Sequence, residues 1–103
     1  MLDIINNIEH DYSKSISLKD IANRHFYSYP YLSRTFKDYF GISFSKYLQK
    51  FRINKATQLL QNTTLSIEKI SERTGYRDKR EFYRAFKNET GTTPGNLRKT
   101  LTE

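Results

Sequence analysis

The sequence predicts an all-α fold of seven helices in which one unit, a short helix, a turn and a longer helix, is built twice. Three observations carry this. Apolar residues recur at helical spacing throughout, and no stretch alternates as a strand does. Ser, Asp and Gly fall at the positions where helices start and stop. The second half of the chain also repeats the first at a fixed offset: Leu32 and Phe82, Arg34 and Arg84, Phe36 and Phe86, Lys37 and Lys87, and Gly41 and Gly91 all lie 50 positions apart.

Taken in order, residues 2–12 place Leu2, Ile5, Ile8 and Tyr12 on one helical face, and Ser13 to Ser15 end that helix. Ser17-Leu-Lys-Asp20 starts a second, with a hydroxyl cap, a carboxylate three residues on, and Leu18, Ile21 and Ala22 inward to about His25. Ser28 caps the third. Pro30 stands in its first turn, where a missing N–H costs little. Leu32, Phe36 and either Tyr39 or Phe40 form its buried stripe, and Gly41 stops it. Ser43 opens a long helix over about 44–60, with Phe44, Tyr47, Leu48, Phe51, Ala56, Leu59 and Leu60 as its apolar positions. The polar stretch Gln61-Asn-Thr-Thr64 follows, and the pattern restarts. Ser66 caps a short helix with Ile67 and Ile70 inward, and Gly75 makes the turn. Asp78, with Glu81 as its capping-box partner, starts a helix that buries Phe82 and Phe86 and ends at Gly91. Thr93-Pro94 opens the last helix. Ser17/Ser66 and Ile21/Ile70 are 49 apart, so the second turn is one residue longer than the first. The division expected is a first subdomain over about 1–43, a linker helix over about 44–60 and a second subdomain over about 61–103.

Composition narrows the function. The chain has 103 residues and is 36% hydrophobic, so its cores are thin; eight Tyr and seven Phe compensate by the area each buries. With no cysteine there is no disulfide, thiolate metal site or thiol nucleophile. His10 and His25 have no partners at ligand spacing, so neither a metal nor another cofactor is expected. No catalytic Ser/His/Asp set or phosphate loop is visible, and the chain does not read as an enzyme. No apolar run suits a membrane span, and Asp3 and Glu9 replace the basic start of a signal peptide, which points to the cytoplasm.

Net charge is +7 and unevenly placed: residues 1–27 carry three Lys/Arg against four Asp/Glu, residues 28–60 six against one, and residues 61–103 nine against six. The positive excess begins with the first repeated motif, and basic charge of this kind suits nucleic acid or an anionic membrane surface. Short helix, turn, second helix is the helix-turn-helix layout, whose second helix enters the major groove. With Leu32 and Phe36 inward, Pro30, Ser33, Arg34 and Lys37 face outward. With Phe82 and Phe86 inward, Arg80, Tyr83, Arg84 and Lys87 do. Arginine suits bidentate contact with guanine, so Arg34, Arg80 and Arg84 are the base readers, and Lys37 and Lys87 meet phosphate. Either basic stripe alone reads equally well as a solvated face; two at one offset favour a shared contact. Glu81 can accept from cytosine, although a capping role suits it better. Tyr27, Tyr29 and Tyr31 fit groove contact or turn packing alike.

The chain resembles the C-terminal DNA-binding half of the AraC/XylS family of bacterial transcription regulators. The resemblance rests on Leu18…Ile21-Ala22, Tyr31-Leu-Ser-Arg-Thr-Phe-Lys…Gly41, Tyr47-Leu48…Arg52…Ala56…Leu59-Leu60, Ile67…Ile70…Gly75-Tyr76, Phe82…Arg84-Ala-Phe-Lys87…Gly91 and Pro94…Arg98. It implies two helix-turn-helix subdomains joined by the long helix, with reading helices in successive major grooves of double-stranded DNA. The family's base-contacting positions correspond to Pro30, Ser33, Arg34, Lys79, Arg80, Glu81 and Arg84, and its Arg of the long helix to Arg52, expected to be structural. It further implies RNA polymerase as a partner and an N-terminal sensory or receiver domain, as in a response regulator of which this would be the output domain; a small stand-alone activator is the alternative. Phe26 stands where many members carry Gly, Pro30 falls one position late, and Arg77 and Glu81 replace a Ser and an aromatic. A second reading is a protein-interaction module that contacts RNA polymerase or another regulator.

Overall fold

The computed structural model describes residues 1–101, all of whose regular structure is helical. The helices are α1 (Leu2–Asp11), α2 (Leu18–Arg24), α3 (Tyr29–Phe40), α4 (Phe44–Asn62), α5 (Ile67–Arg73), α6 (Lys79–Thr90) and α7 (Pro94–Leu101). Two helix-turn-helix units, α2–α3 and α5–α6, lie either side of α4 in a body 48 × 23 × 22 Å.

Hydroxyl caps fix the starts. Ser17, Ser28, Ser43 and Ser66 each accept from the backbone N–H three residues on, as does Thr93 from Asn96. Gly41 and Gly91 end α3 and α6 in the left-handed conformation, at φ 77° and 79°. The cap of α6 differs from the capping box expected there. Asp78 accepts from the N–H of Arg80, two residues on, and Glu81 makes no return bond.

Two hydrophobic clusters form. The first gathers Ile4, Ile8, Leu18, Ile21, Ala22, Leu32 and Phe36 with Phe44 and Leu48 of α4. The second gathers Ile53, Ala56 and Leu60 of α4 with Ile70, Tyr76, Phe82, Ala85 and Phe86. One helix therefore serves both cores, and its buried stripe steps from Leu48 to Ile53, five residues rather than four. This step puts Ile53 outside the apolar face that the sequence predicts, and α4 also runs two residues past the expected end. In α3 the alternative resolves to Phe40, which is partly buried 4.4 Å from the Phe36 ring, while Tyr39 is exposed.

The largest correction is the rotation of α1. The sequence pattern places Leu2, Ile5 and Ile8 inward, but Ile4 and Ile8 are buried and Leu2 is 70% exposed. This rotation also buries Asp11, which is tolerable because its carboxylate is fully engaged. It lies 2.9 Å from His10 Nδ1, 3.3 Å from Lys14 Nζ and 3.2 Å from Arg24 Nη1. The hydrogen bond from His10, followed by those from Lys14 and Arg24, holds the carboxyl down at about 2.

The two turns share one closure. Tyr27 N–H donates to Ala22 C=O at 2.8 Å, and Tyr76 N–H donates to Ser71 C=O at 3.1 Å. Such a closure requires a left-handed residue just before the donor. In the second turn it is Gly75, at φ 96°; in the first it is Phe26, at φ 64° and 96% exposed. A side chain costs roughly 1–2 kcal/mol in that conformation. Phe26→Gly is therefore expected to stabilise the chain by about 1 kcal/mol, raising the melting temperature by about 5 °C. A fall in melting temperature would show that the Phe26 ring contributes packing instead.

Candidate nucleic-acid interface

The outward face of each second helix follows from its buried stripe. Leu32 and Phe36 seat α3 on the first core, leaving Pro30, Arg34 and Lys37 exposed and Ser33 partly exposed. Phe82, Ala85 and Phe86 seat α6 on the second, leaving Lys79, Arg80, Glu81, Arg84 and Lys87 exposed. Tyr83 departs from expectation. It is half-buried against the second core, its ring 6.1 Å from that of Phe82, so only part of it faces outward. The reason is geometric: at about 100° per residue, position 83 stands only about 60° around the helix from Phe86, on the edge of the buried stripe.

Distinct parts of the repeat meet at α4. A concavity beside this helix is lined by Tyr29 and Ser33 of α3, Ser45, Gln49 and Arg52 of α4, and Glu81 of α6. The starts of the two second helices thus open toward one shared surface. Sequence reasoning does not assign Ser45, Gln49 and Arg52 to this face. Their signal is nonetheless present: they form a polar stripe at 45, 49 and 52 in a helix otherwise read for its apolar positions.

Polar tethers fix the two units against one another. Arg52 donates from Nε to Tyr12 C=O at 2.8 Å and from Nη2 to Lys14 C=O at 2.9 Å. Its guanidinium also lies 5.4 Å from the centre of the Tyr76 ring. One α4 side chain therefore grips the loop before α2 and the turn before α6, the structural role expected of it. Burial pushes the Tyr76 hydroxyl up to about 12, against the opposing pull of Arg52. Arg98 of α7 does the matching job in the second unit, donating to Leu65 C=O and Thr63 C=O in the loop before α5. From α4, Gln49 and Lys50 reach Glu89 of α6 at 2.9 and 3.0 Å. Burial favours protonation of Glu89, yet these donors hold its carboxyl below the ordinary range.

The cap of α6 has an electrostatic feature of its own. Asp78 Oδ1 accepts from Arg80 N–H at 2.8 Å, and Oδ2 accepts from Arg80 Nη2 at 3.4 Å. The backbone bond first, and then the guanidinium, lower the Asp78 carboxyl.

A family model described as a helix-turn-helix domain matches residues 21–100. Over 95 residues, 92% of its length, the chain is 39% identical to the HTH-type transcriptional regulator YtdP of Bacillus subtilis, of which it spans 12%. It spans 29% and 34% of two further relatives. Among solved structures, the C-terminal domain of AraT, a response regulator from Geobacillus stearothermophilus, superposes with a TM-score of 0.89 at 38% identity, covering 92% of this chain and 79% of that one. A transcriptional regulator from Chromobacterium violaceum, described as having an AraC-type DNA-binding domain, superposes with a TM-score of 0.88 at 31% identity, covering 99% of this chain and 91% of that one.

Proposed function

Because the chain belongs to the AraC-type helix-turn-helix family of DNA-binding transcription regulators, we propose that it reads double-stranded DNA sequence-specifically through two recognition helices, α3 and α6, in successive major grooves. The observation that carries this reading is the pair of basic faces, Arg34/Lys37 and Arg84/Lys87, at one offset on helices whose starts border one concavity along α4. Successive major grooves on one side of a duplex lie roughly 34 Å apart. A body 48 Å long, centred on a 19-residue helix, has the reach to serve both.

In this reading Arg34, Arg80 and Arg84 address guanine edges, and Lys37 and Lys87 address phosphates. Pro30, Ser33, Lys79, Glu81 and the exposed part of Tyr83 complete the two reading surfaces. The role is binding rather than catalysis. The likeness to the C-terminal domain of the response regulator AraT supports an output domain coupled to a receiver domain. RNA polymerase is the partner this reading assigns to it once it is seated on DNA.

Arg84→Ala is expected to flatten base discrimination in one half of the site and Arg34→Ala in the other, each by about 1–3 kcal/mol. Competition between duplexes altered in one half at a time measures both. Affinity is also expected to fall steeply with salt. Equal losses on cognate and random duplexes would sink the readout assignment. Full function after charge reversal at both arginines would favour the protein-interaction reading instead.

A further inference from the structure

Five of the helix starts are capped by hydroxyls, at Ser17, Ser28, Ser43, Ser66 and Thr93, and one is capped by a carboxylate, at Asp78. A hydroxyl at position 78 would cap α6 as the serine at the matching position, Ser28, caps α3. The carboxylate brings a second oxygen and a negative charge. Both have a partner only in the second copy, where Arg80 stands two residues on; the first copy has Pro30 there. The second oxygen of Asp78 meets the Arg80 guanidinium at 3.4 Å while the first caps the helix. Among the described residues, neither Arg34 nor Arg84 is held by a carboxylate in this way.

We propose that Asp78 is a positioning residue, whose carboxylate steers the guanidinium of Arg80 at the start of α6 so that Arg80 selects a guanine. This rests on the reading of α6 as a recognition helix. An exposed arginine has many rotamers, and ordering it on binding costs affinity for the correct base. The Arg80 side chain is 90% exposed, and the side-chain contact that bears on it is the 3.4 Å approach of its Nη2 to Asp78. A fixed fork also rejects a wrong base more sharply than a mobile one, because it cannot swing to a neighbouring acceptor. The same carboxylate adds a negative charge to the end of α6 that meets the duplex in this reading, which weakens binding to unrelated sequence. Asp78 therefore trades general affinity for discrimination.

Asp78→Asn tests this while keeping a side-chain oxygen for the cap. The wild-type chain, Asp78→Asn, Arg80→Ala and the double variant are each used to select duplexes from a random pool, with melting temperatures measured alongside. The expected result is that wild type enriches a guanine at one base pair, that Arg80→Ala loses it, and that Asp78→Asn weakens the preference roughly tenfold while binding random duplex more tightly. In the Arg80→Ala background, Asp78→Asn is expected to change no base preference. An undiminished guanine preference in Asp78→Asn would overturn the proposal. So would an effect of equal size with and without Arg80, which would make Asp78 a cap alone. If wild type enriches a sequence but Arg80→Ala leaves it unchanged, the steering proposal fails and the DNA reading stands. If wild type enriches nothing, the DNA reading itself has failed.

Discussion

Phe86→Ala is expected to cost about 3–5 kcal/mol and to remove binding by the second helix-turn-helix unit. Phe86 is wholly buried, packed 5.8 Å from the Phe82 ring in the core that also holds Ile53, Ala56 and Leu60. The loss is comparable with the total stability of a small domain, about 5–15 kcal/mol. Because α4 contributes to both cores, melting the second is expected to fray the C-terminal half of α4 while the first core holds. Denaturant titration followed by helical circular dichroism should then show an earlier and broader transition, with Lys87→Ala as a neutral control on the same helix. An unchanged midpoint would mean that the second core packs around something other than Phe86.

Gly75→Ala is expected to destabilise by about 2–5 kcal/mol, combining left-handed strain with overpacking. At φ 96°, an added Cβ would lie 2.7 Å from the Tyr12 carbonyl oxygen and 2.9 Å from Arg52 Nε. The backbone oxygen cannot yield cheaply, and Arg52 is already bonded to it. Gly41 and Gly91 provide the internal comparison. Both have positive φ, with nothing within 4 Å of where an alanine methyl would sit, so Ala there should cost only the strain, about 1–2 kcal/mol. Thermal melting of the three variants separates the two contributions. Equal shifts in all three would show that the approach of the Gly75 turn to Tyr12 is not tight in solution.

What the sequence reveals is chiefly local chemistry. Each serine cap acts on a backbone group three residues away, and each stop glycine acts through its own φ, so both can be read without tertiary structure. The outward positions of Arg34, Lys37, Arg84 and Lys87 follow from a buried stripe with a strong helical period. What escapes it depends on neighbours distant in sequence. The isoleucines of α1 occupy positions 4, 5 and 8, and only contact with α2 and α3 chooses Ile4 over Ile5. The stripe of α4 shifts at Ile53 because two cores claim the same helix, which no single period can express. The motif pairs Glu81 with Asp78, but Arg80 has the stronger claim on that carboxylate. The gathering of Ser33, Gln49 and Glu81 around one concavity belongs to helix placement, which leaves no local mark.

The sharing of α4 by both cores has a mechanical consequence. An α-helix turns about 100° and advances about 1.5 Å for each residue. Lengthening α4 by one residue between Leu48 and Ile53 would swing the second unit a little more than a quarter of a revolution, about 100°, around the rod while barely changing its reach. Angular phase, far more than length, is what this helix sets. Duplex DNA has its own phase, so under the proposed two-helix reading a target with its two blocks moved around the double helix by a few base pairs would present the second block to the wrong side of the protein. The relative bearing of α3 and α6 is thus written into a residue count.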